Sequence, residues 1–239
     1  MAETDVLREY VGTASVWRKA YRDGGRRFRL AALRLFARAL GLAPLIPPPP
    51  ASPEAACRNE QRMIRRLATR GVTVPEVLDA GPRHLVLSDL GETLAAACRR
   101  EPCPLRRREL IARGLAAIAE LHARGVWVSQ AFARNMVVAG DRIGFIDFEE
   151  DPATVMPRRA AKARDILFFV QSTARFLEDQ PQALAALLHD ELVRESPAVR
   201  EEVRRVVRRL WWVPPIARHF GRRSRAVADA LMVLAMVLV

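Results

Sequence analysis

The sequence is poor in cysteine and lysine, and its longest apolar run is short. Its 239 residues include only three cysteines, at positions 57, 98 and 103. This odd number without paired spacing excludes a disulfide framework and a zinc site. Residues 230–239 are apolar but reach only about half the length that spans a bilayer. We therefore expect a buried closing helix there, with an interfacial anchor as the alternative. Residues 1–10 have no apolar signal core, so a cytoplasmic location is expected.

Lysine occurs only at positions 19 and 162, so arginine carries almost all of the formal net charge of +12. Such a charge favours anionic partners, such as phosphorylated lipid, nucleic acid or an anionic membrane surface. Half of the residues are apolar and 28% are charged, which is typical of a globular protein rather than a disordered one. The length suits a two-lobed domain or two small domains.

Residues 1–88 are predicted to form a small strand-rich lobe. Residues 9–22 indicate a strand pair with a turn at Gly12, which places Lys19 on the second strand. A proline-rich linker over 45–53 cannot be helical and is predicted to be stiff. The helix after this linker carries Glu60, and two short strands follow it before residue 88.

A basic helix is predicted over residues 26–42. Its apolar positions recur at helical spacing, and three arginines lie on the opposite face. The apolar positions are Leu30, Leu33, Phe36 and Leu40, and the arginines are Arg27, Arg34 and Arg38. A helix of this kind can lie on a membrane surface, or it can pack its apolar stripe against the sheet. The sequence leaves both alternatives open.

Residues 89–239 are predicted to form a larger helical lobe. A segment over 121–151 interrupts the helices with a short loop and a strand hairpin. Helices resume around Asp165, and the segment 211–215 is interpreted as a break between the closing helices. The predicted fold class is therefore α+β, with a strand-rich first lobe and a helical second lobe.

Asn135 and Asp147 stand at the two ends of the predicted hairpin. A hairpin brings its ends together, so these side chains can converge on one metal ion. Oxygen ligands of this kind suit a hard cation such as Mg²⁺. Asp147 closes a strand in Ile-Asp-Phe, and Glu149, Glu150 and Asp151 follow it. Without Asn135, a solvated acidic turn would be the simpler interpretation.

Lys19 and Glu60 are candidates for a buried ion pair that binds phosphate. Lys19 lies in an apolar strand context, Val-Trp-Arg-Lys, in a chain that otherwise uses arginine. Lysine is the compact point charge that proteins use on phosphates. A helical glutamate among arginines is usually a surface partner, but Glu60 gains significance as the partner of Lys19. Glu54 is the competing residue, and its place in the first helical turn is explained by the helix dipole.

Taken in order, these segments resemble the protein-kinase-like superfamily. The similarity is greatest to its atypical bacterial branch, which includes lipopolysaccharide-core (Kdo or heptose) kinases, RIO-type kinases and relatives of the KEOPS-complex kinase. It runs through VWRK, NEQRMIRRL, GVTVPEVLDAG, VLSDLG, LHARGVWVSQAFARN, FIDFE and ARDILFF. The resemblance implies a two-lobed kinase-like fold that uses ATP and Mg²⁺. It implies phosphate binding by Lys19 oriented by Glu60, metal binding by Asn135 and Asp147, and support of the catalytic loop by Asp165.

The catalytic loop departs from the family pattern. The family has His-x-Asp five to seven residues before the Asn, and this chain has Val128, Ser129 and Gln130 there. Gln130 can form a hydrogen bond with a hydroxyl group but cannot accept its proton. Glu149 replaces the glycine that follows Asp-Phe, and Gly12 is the only glycine where a glycine-rich phosphate loop is expected. The short stretch from Asp147 to Asp165 argues against a signalling protein kinase.

Three functions are compatible with this pattern. The first is a Mg²⁺-ATP-dependent phosphotransferase that acts on a lipid-linked sugar or other small acceptor near the inner membrane. The second is a pseudokinase that binds nucleotide or acts as a scaffold regulator, because the catalytic Asp position is Gln130. The third is an RNA-linked ATPase. Nucleic acid is not an expected partner, since no aromatic-basic RNA motif is recognised. The residues that could replace the catalytic Asp as a base are Glu149, Glu150 and Asp151. Ser129 is a candidate contact for phosphate.

Overall fold

The structure is a computed structural model that describes residues 2–23, 27–128 and 130–238. A small antiparallel sheet lies in the first part of the chain and helices dominate the second part, so the predicted α+β class is confirmed. The strands are β1 Ala2–Val11, β2 Ala14–Asp23, β3 Val77–Ala80, β4 His84–Ser88, β5 Glu92–Thr93, β6 Met136–Ala139 and β7 Arg142–Phe145. The helices are α1 Arg27–Ala39, α2 Pro53–Ala68, α3 Leu94–Arg100, α4 Pro104–Ala123, α5 Arg158–Thr173, α6 Pro181–Arg194, α7 Pro197–Arg209, α8 Val213–Ala217 and α9 Arg222–Leu238.

The first sheet has the strand order β1-β2-β4-β3, with antiparallel neighbours. Gly12 adopts a φ of 62° in the tight turn between β1 and β2, a conformation that glycine adopts without steric cost. The first strand begins at Ala2 and is therefore longer than the sequence indicated. Lys19 pairs with Val6 on one side and Leu85 on the other. Because side chains alternate along a strand, Lys19 and Tyr21 face the same side and are both buried.

Helix α2 packs against that face of the sheet. It begins with Ser52, whose hydroxyl accepts a hydrogen bond from the Ala55 amide, and Pro53 occupies the first helical position, where no amide donor is needed. Its buried side includes Glu60, Met63 and other residues at helical spacing. Glu60 is fully buried, because its position on the helix faces Lys19 on β2.

Helix α1 leaves part of its apolar stripe uncovered, although Leu40 packs against the core. Leu33 and Phe36 are exposed, and the buried position is Ala37. The chain turns back after the helix, where Gly41 has a φ of 61° and the Leu42 amide donates to the Ala37 carbonyl. The proline-rich segment then runs beside α1, with Arg34 donating to its Pro47 carbonyl. This turn fixes which side of the helix is covered.

The second part of the chain surrounds a core built from α4, α5, α6, α7 and α9. A second small sheet, β5-β6-β7, carries the hairpin that the sequence indicated. The predicted break at residues 211–215 is only partly correct, since α8 begins at Val213. Pro214 and Pro215 fit its first turn because amide groups there have no helical acceptor.

The closing helix α9 buries Leu231, Val233 and Leu234, as the apolar composition indicated. It packs against α6, α7 and α8, which explains why its apolar residues are distributed around much of the helix. Among the described residues, the structure contains no helix with the length and apolarity required to cross a bilayer.

Candidate active site

Lys19 lies at the centre of the candidate site and is enclosed by carboxylates. Its Nζ atom is 2.7 Å from Oε2 of Glu60 and 2.9 Å from Oε1. The Tyr21 hydroxyl donates a second short hydrogen bond to Glu60. Burial alone would lower the pKa of Lys19, but the carboxylates of Glu60, Asp147 and Glu149 outweigh it and raise that pKa. The surrounding carboxylates therefore favour the charged form of Lys19 and hold its ammonium group in position.

Asp147 approaches the same lysine from the end of β7. Its Oδ1 atom is 3.1 Å from Nζ of Lys19. Asp147 has a φ of 71°, and among the described residues it is the only residue other than glycine with a positive φ. This left-handed conformation is uncommon, although Asp adopts it more readily than most residues. It turns the chain so that the carboxylate faces Lys19 while Phe148 enters the core.

Helix α2 also holds the backbone of this acidic turn. The side-chain amide of Asn59 donates to the carbonyl oxygens of Phe148 and Glu149, at 3.1 and 3.0 Å. Asn59 lies one position before Glu60, so a single turn of α2 contacts both Lys19 and the turn that carries Asp147. The turn conformation is thus coupled to the placement of the ion pair.

Glu149 adds a third carboxylate to the group. Its Oε1 atom lies 3.5 Å from Nζ of Lys19 and accepts a short hydrogen bond from the Thr4 hydroxyl. Carboxylate oxygens of Glu60, Asp147 and Glu149 all lie within 4.8 Å of one another. Burial and the charge of Asp147 raise the pKa of Glu149 against the opposing effect of Lys19. Three acids thus share one ammonium group.

This donor set fits a divalent metal ion. The ligand atoms are oxygens, which Mg²⁺ prefers, and the acids outnumber the single cation Lys19. An additional positive charge would reduce the repulsion that raises the pKa of Glu149. Asp147 is half-buried rather than enclosed, so a ligand has access to it.

The loop that contains Gln130 and Asn135 is held through its backbone. Oδ2 of Asp165 accepts a hydrogen bond from the Val128 amide at 2.9 Å. The Asn135 side-chain amide donates to the Gln130 carbonyl at 3.1 Å, and the Asn135 carbonyl accepts from the Ile146 amide at 2.9 Å. The last bond joins this loop to the strand end that carries Asp147. Ser129 lies outside the described residues.

His122 connects Asp165 to the helical core. It is buried between the carboxylates of Asp165 and Glu195, with Nε2 at 3.5 Å from Asp165 and Nδ1 in a short contact with Glu195. Burial opposes its protonation, but hydrogen bonds to the two carboxylates outweigh burial and raise its pKa. Lys162 donates to the His122 carbonyl. The hydrogen bond from the Val128 amide to Asp165 is therefore coupled to the buried contacts of His122 with Asp165 and Glu195.

Gln130 lies beside a further acid, Glu150. The Gln130 side chain lies close enough to Glu150 to favour its charged form, although this effect is the smallest of those that act on Glu150. Burial is the larger effect and raises the pKa of Glu150, with Asp147 acting in the same direction and Arg164 opposing it. Nη2 of Arg164 is 3.6 Å from Glu150. At position 130, where the sequence comparison predicted a base, the chain thus has the side-chain amide of Gln130 near the carboxyl group of Glu150.

A cavity of about 1030 Å³ opens beside this group. Its wall contains Gln130, which precedes β6, and Asp147 and Glu149, which follow β7. Helix α2 contributes Asn59 and Arg62. Other parts of the wall are formed by residues of α1, the proline-rich segment and the start of α9, among them Leu30, Leu33, Pro48, Pro49, Pro50 and Arg223. The volume is large enough for a nucleotide-sized or sugar-sized ligand.

Comparison with solved structures finds a chain that is similar over most of the sequence. The chain is similar to the Rio2 kinase in the structure of the Rio2 kinase–ADP/Mg²⁺–phosphoaspartate complex from Chaetomium thermophilum. The sequence identity is 16%, the TM-score is 0.47, and the alignment covers 98% of this chain and 68% of that chain. No family model and no curated protein matches the sequence. Functional inference therefore rests on the geometry of the site.

The structure brings together Lys19, Glu60 and Asp147, as the sequence indicated. Asn135 is joined to the Asp147 strand through its backbone, and Asp165 contacts the loop at Val128. The catalytic and metal-binding roles assigned to these residues remain predictions.

Sequence reasoning missed Tyr21, Asn59 and Thr4. The spacing of Tyr21 two positions after Lys19 on a strand was a usable signal, because it places both side chains on one face. The position of Asn59 next to Glu60 gave no comparable signal, since its acceptors are backbone carbonyls 89 and 90 positions away. Thr4 lies on the part of β1 that the sequence pattern did not indicate as a strand.

Proposed function

We propose that this protein is a Mg²⁺-ATP-dependent phosphotransferase. The observation that carries the proposal is the position of Lys19, which bridges Glu60 at 2.7 Å and Asp147 at 3.1 Å. Phosphoryl transfer requires mainly positioned positive charge and a bound metal, with little covalent chemistry from the protein. A buried lysine that stays charged beside an excess of carboxylates meets both requirements.

Each residue then has a defined task. Glu60 keeps the ammonium of Lys19 oriented so that it can contact phosphate oxygens. Asp147 and Asn135 would hold Mg²⁺, and Glu149 is a further oxygen donor near Asp147. When bound, Mg²⁺ supplies charge neutralisation for the phosphates. Gln130 positions an acceptor hydroxyl without taking its proton, which a loose transition state tolerates.

The proposed acceptor is a small hydroxyl-bearing molecule, such as a lipid-linked sugar at the inner membrane surface. The cavity beside Gln130 and Asp147 has room for it. Leu33 of α1 lines this cavity, and the same helix exposes the apolar side chains of Leu35 and Phe36, which supports a site near a membrane.

A pseudokinase is the second candidate, because Gln130 cannot serve as a base. In that case the Lys19 site binds nucleotide without transferring phosphate. The protein would then act through its conformation or through a partner. The two candidates differ in turnover but agree in nucleotide binding.

The first test combines nucleotide binding with turnover. Thermal unfolding would be followed with ATP, with and without Mg²⁺, and ATP hydrolysis or phosphotransfer would be measured in parallel. We expect ATP to raise the melting temperature only when Mg²⁺ is present. Asp147→Ala should abolish the Mg²⁺-dependent rise in melting temperature. It should also reduce turnover by at least about a hundredfold. Asp141→Ala, an exposed change at the neighbouring turn, is the matched control.

The outcomes separate the two candidates. Turnover that Asp147→Ala leaves unchanged would refute the phosphotransferase proposal. Stabilisation by Mg²⁺-ATP without any turnover in the wild type would favour the pseudokinase. If ATP neither binds nor turns over, both candidates are wrong.

A further inference from the structure

Residues 208–225, the arginine–tryptophan segment, form an exposed surface whose charged residues are all arginines. The segment contains no Asp or Glu, and its arginines are Arg208, Arg209, Arg218, Arg222, Arg223 and Arg225. All six are exposed. Within the described residues none of these six side chains pairs with an acid, whereas the preceding Arg204 and Arg205 each pair with a glutamate. The segment is thus an uncompensated cationic surface.

The same segment exposes large apolar side chains between its arginines. Trp211 is 74% exposed, Phe220 62% and Ile216 51%. The segment is attached to the core through Leu210 and Ala217, which are buried. Helix α8 packs on α9, so the exposed rings and the aliphatic Ile216 are carried by ordered structure. Exposed apolar side chains gathered in this way mark an interaction surface.

This surface adjoins the candidate active site. Arg223 contributes to the wall of the same cavity as Gln130 and Asp147. Leu33 of α1 lines that cavity as well, and it is followed by the 70% exposed Leu35. Helix α1 and the arginine–tryptophan segment therefore each contribute to the wall of one cavity.

We propose that the arginine–tryptophan segment is a docking surface for an anionic membrane. Tryptophan rings favour the boundary between lipid headgroups and acyl chains. Each arginine near an anionic surface strengthens attraction roughly fivefold. Interleaved aromatic and basic residues combine these two effects, and the absence of acids removes the repulsion that would oppose them.

The aliphatic side chains favour a lipid surface over nucleic acid. Single-stranded nucleic acid binds basic grooves through rings on which bases stack. Ile216 on the segment and Leu35 on α1 have no ring and gain nothing from a base. Both gain from insertion among acyl chains. Phosphate groups on a lipid surface account for the arginines and the aliphatic residues together.

Docking of this surface does not depend on phosphate transfer. Only the placement of a lipid-linked acceptor in the cavity rests on the proposed function. The membrane experiment is therefore performed without nucleotide, on the wild type and on Asp147→Ala. Equal vesicle binding by the two proteins keeps the docking result separate from any result on catalysis.

The experiment is flotation of the full chain with vesicles. One set contains phosphatidylcholine alone, and the other an equimolar mixture of phosphatidylcholine and phosphatidylglycerol. We expect binding only to the mixture, and a fall of at least tenfold between about 0.1 M and about 1 M salt as the screening length shortens from about 10 to about 3 Å. Brominated lipid should quench the tryptophan fluorescence of the bound protein.

Two variants locate the surface. The apolar variant carries Trp211→Ser, Ile216→Ser and Phe220→Ser, and its control carries changes at other exposed apolar positions, Leu78→Ser, Leu105→Ser and Val193→Ser. The charge variant carries Arg209→Gln, Arg222→Gln and Arg225→Gln, and its control removes the same charge elsewhere, with Arg99→Gln, Arg106→Gln and Arg158→Gln. Circular dichroism would confirm that every variant is folded.

We expect both test variants to lose at least tenfold in vesicle binding while both controls keep it. If the charge control loses as much as the charge variant, attraction is a property of the whole protein and the proposed surface is wrong. Binding to single-stranded RNA without binding to anionic vesicles would overturn the proposal in favour of a nucleic acid surface.

Discussion

The Lys19 group and the loop over residues 128–135 are neighbouring parts of one site, yet they are held in different ways. Lys19 is fixed by charged side chains, among them Glu60 and Asp147. The loop is fixed by its backbone, because Asp165 accepts from the Val128 amide and Asn135 donates to the Gln130 carbonyl. In one region charged side chains contact each other, whereas in the other the side chains of Asp165 and Asn135 contact the main chain of the loop.

This difference bears on position 130, where the sequence comparison predicted a base and the chain has Gln. The side chain at position 130 takes no part in the contacts that hold the loop, which use the amide of Val128 and the carbonyl of Gln130. Substitution at position 130 therefore leaves the loop in place. Lys19 has no such freedom, since its removal leaves buried acids without a cation.

The largest effect is expected from Lys19→Met. Without the ammonium group, Glu60 remains buried with no opposite charge, and Asp147 and Glu149 repel it. We expect the free energy of unfolding to fall by about 3–5 kcal/mol, measured by urea denaturation at neutral pH. Adding Glu60→Gln should recover most of the loss.

The control is Lys162→Met, which removes the only other lysine and one hydrogen bond to the His122 carbonyl. Lys162→Met should lower the free energy of unfolding by only about 1 kcal/mol. Equal losses in Lys19→Met and Lys162→Met would mean that the carboxylates around Lys19 do not depend on its charge for their stability.

Much of the Lys19 region could be predicted from sequence because its determinants are local. A lysine in an apolar strand, a capped helix containing Glu60, and Ile-Asp-Phe at a strand end each have a recognisable pattern. Their meeting is a tertiary event, and it followed from the resemblance to a known family. Tyr21 and Asn59 complete the group, and their roles depend on which residues the fold brings opposite them.

Helix α1 shows why the rest could not be predicted. Its hydrophobic pattern indicated a stripe through Leu33 and Phe36, but the structure covers Ala37 instead. The covered side is decided by the turn at Gly41 and by the path of the proline-rich segment, which a helical period does not contain. Periodicity identified the helix and could not identify its neighbour.

A smaller effect on stability is expected from pH through His122. Its pKa is raised in the folded protein, so its contribution is complete below the unfolded value of about 6.5 and is lost as pH rises through the folded value. Asp165→Asn keeps an acceptor for the Val128 amide but removes one charge that His122 contacts. We expect this variant to lose about 1–3 kcal/mol at pH below about 6.5.

The difference in free energy of unfolding between the wild type and Asp165→Asn should shrink as the pH rises through the pKa of His122 in the folded protein. Urea midpoints over this range would show it, and taking the difference cancels the titration of Glu149 and Glu150, which both proteins share. A difference that grows with pH would mean that His122 is neutral when folded, contrary to the raised pKa.

The smallest effect is expected from Gln130→Asp, which sharpens the comparison between the two regions. The loop accepts the change because its contacts use the backbone, so the fold should be unaltered. The new carboxyl group lies near Glu150, whose pKa is already raised by burial, and repulsion between the two acids disfavours ionisation of both at once. If the reaction proceeds through a loose transition state, turnover should change by less than about tenfold. Gln130→Ala is the control, since it removes the side-chain amide near Glu150 without adding charge. A gain of about a hundredfold or more, the size of a general-base contribution, would show instead that the wild-type loop is degenerate and would move the protein toward the pseudokinase.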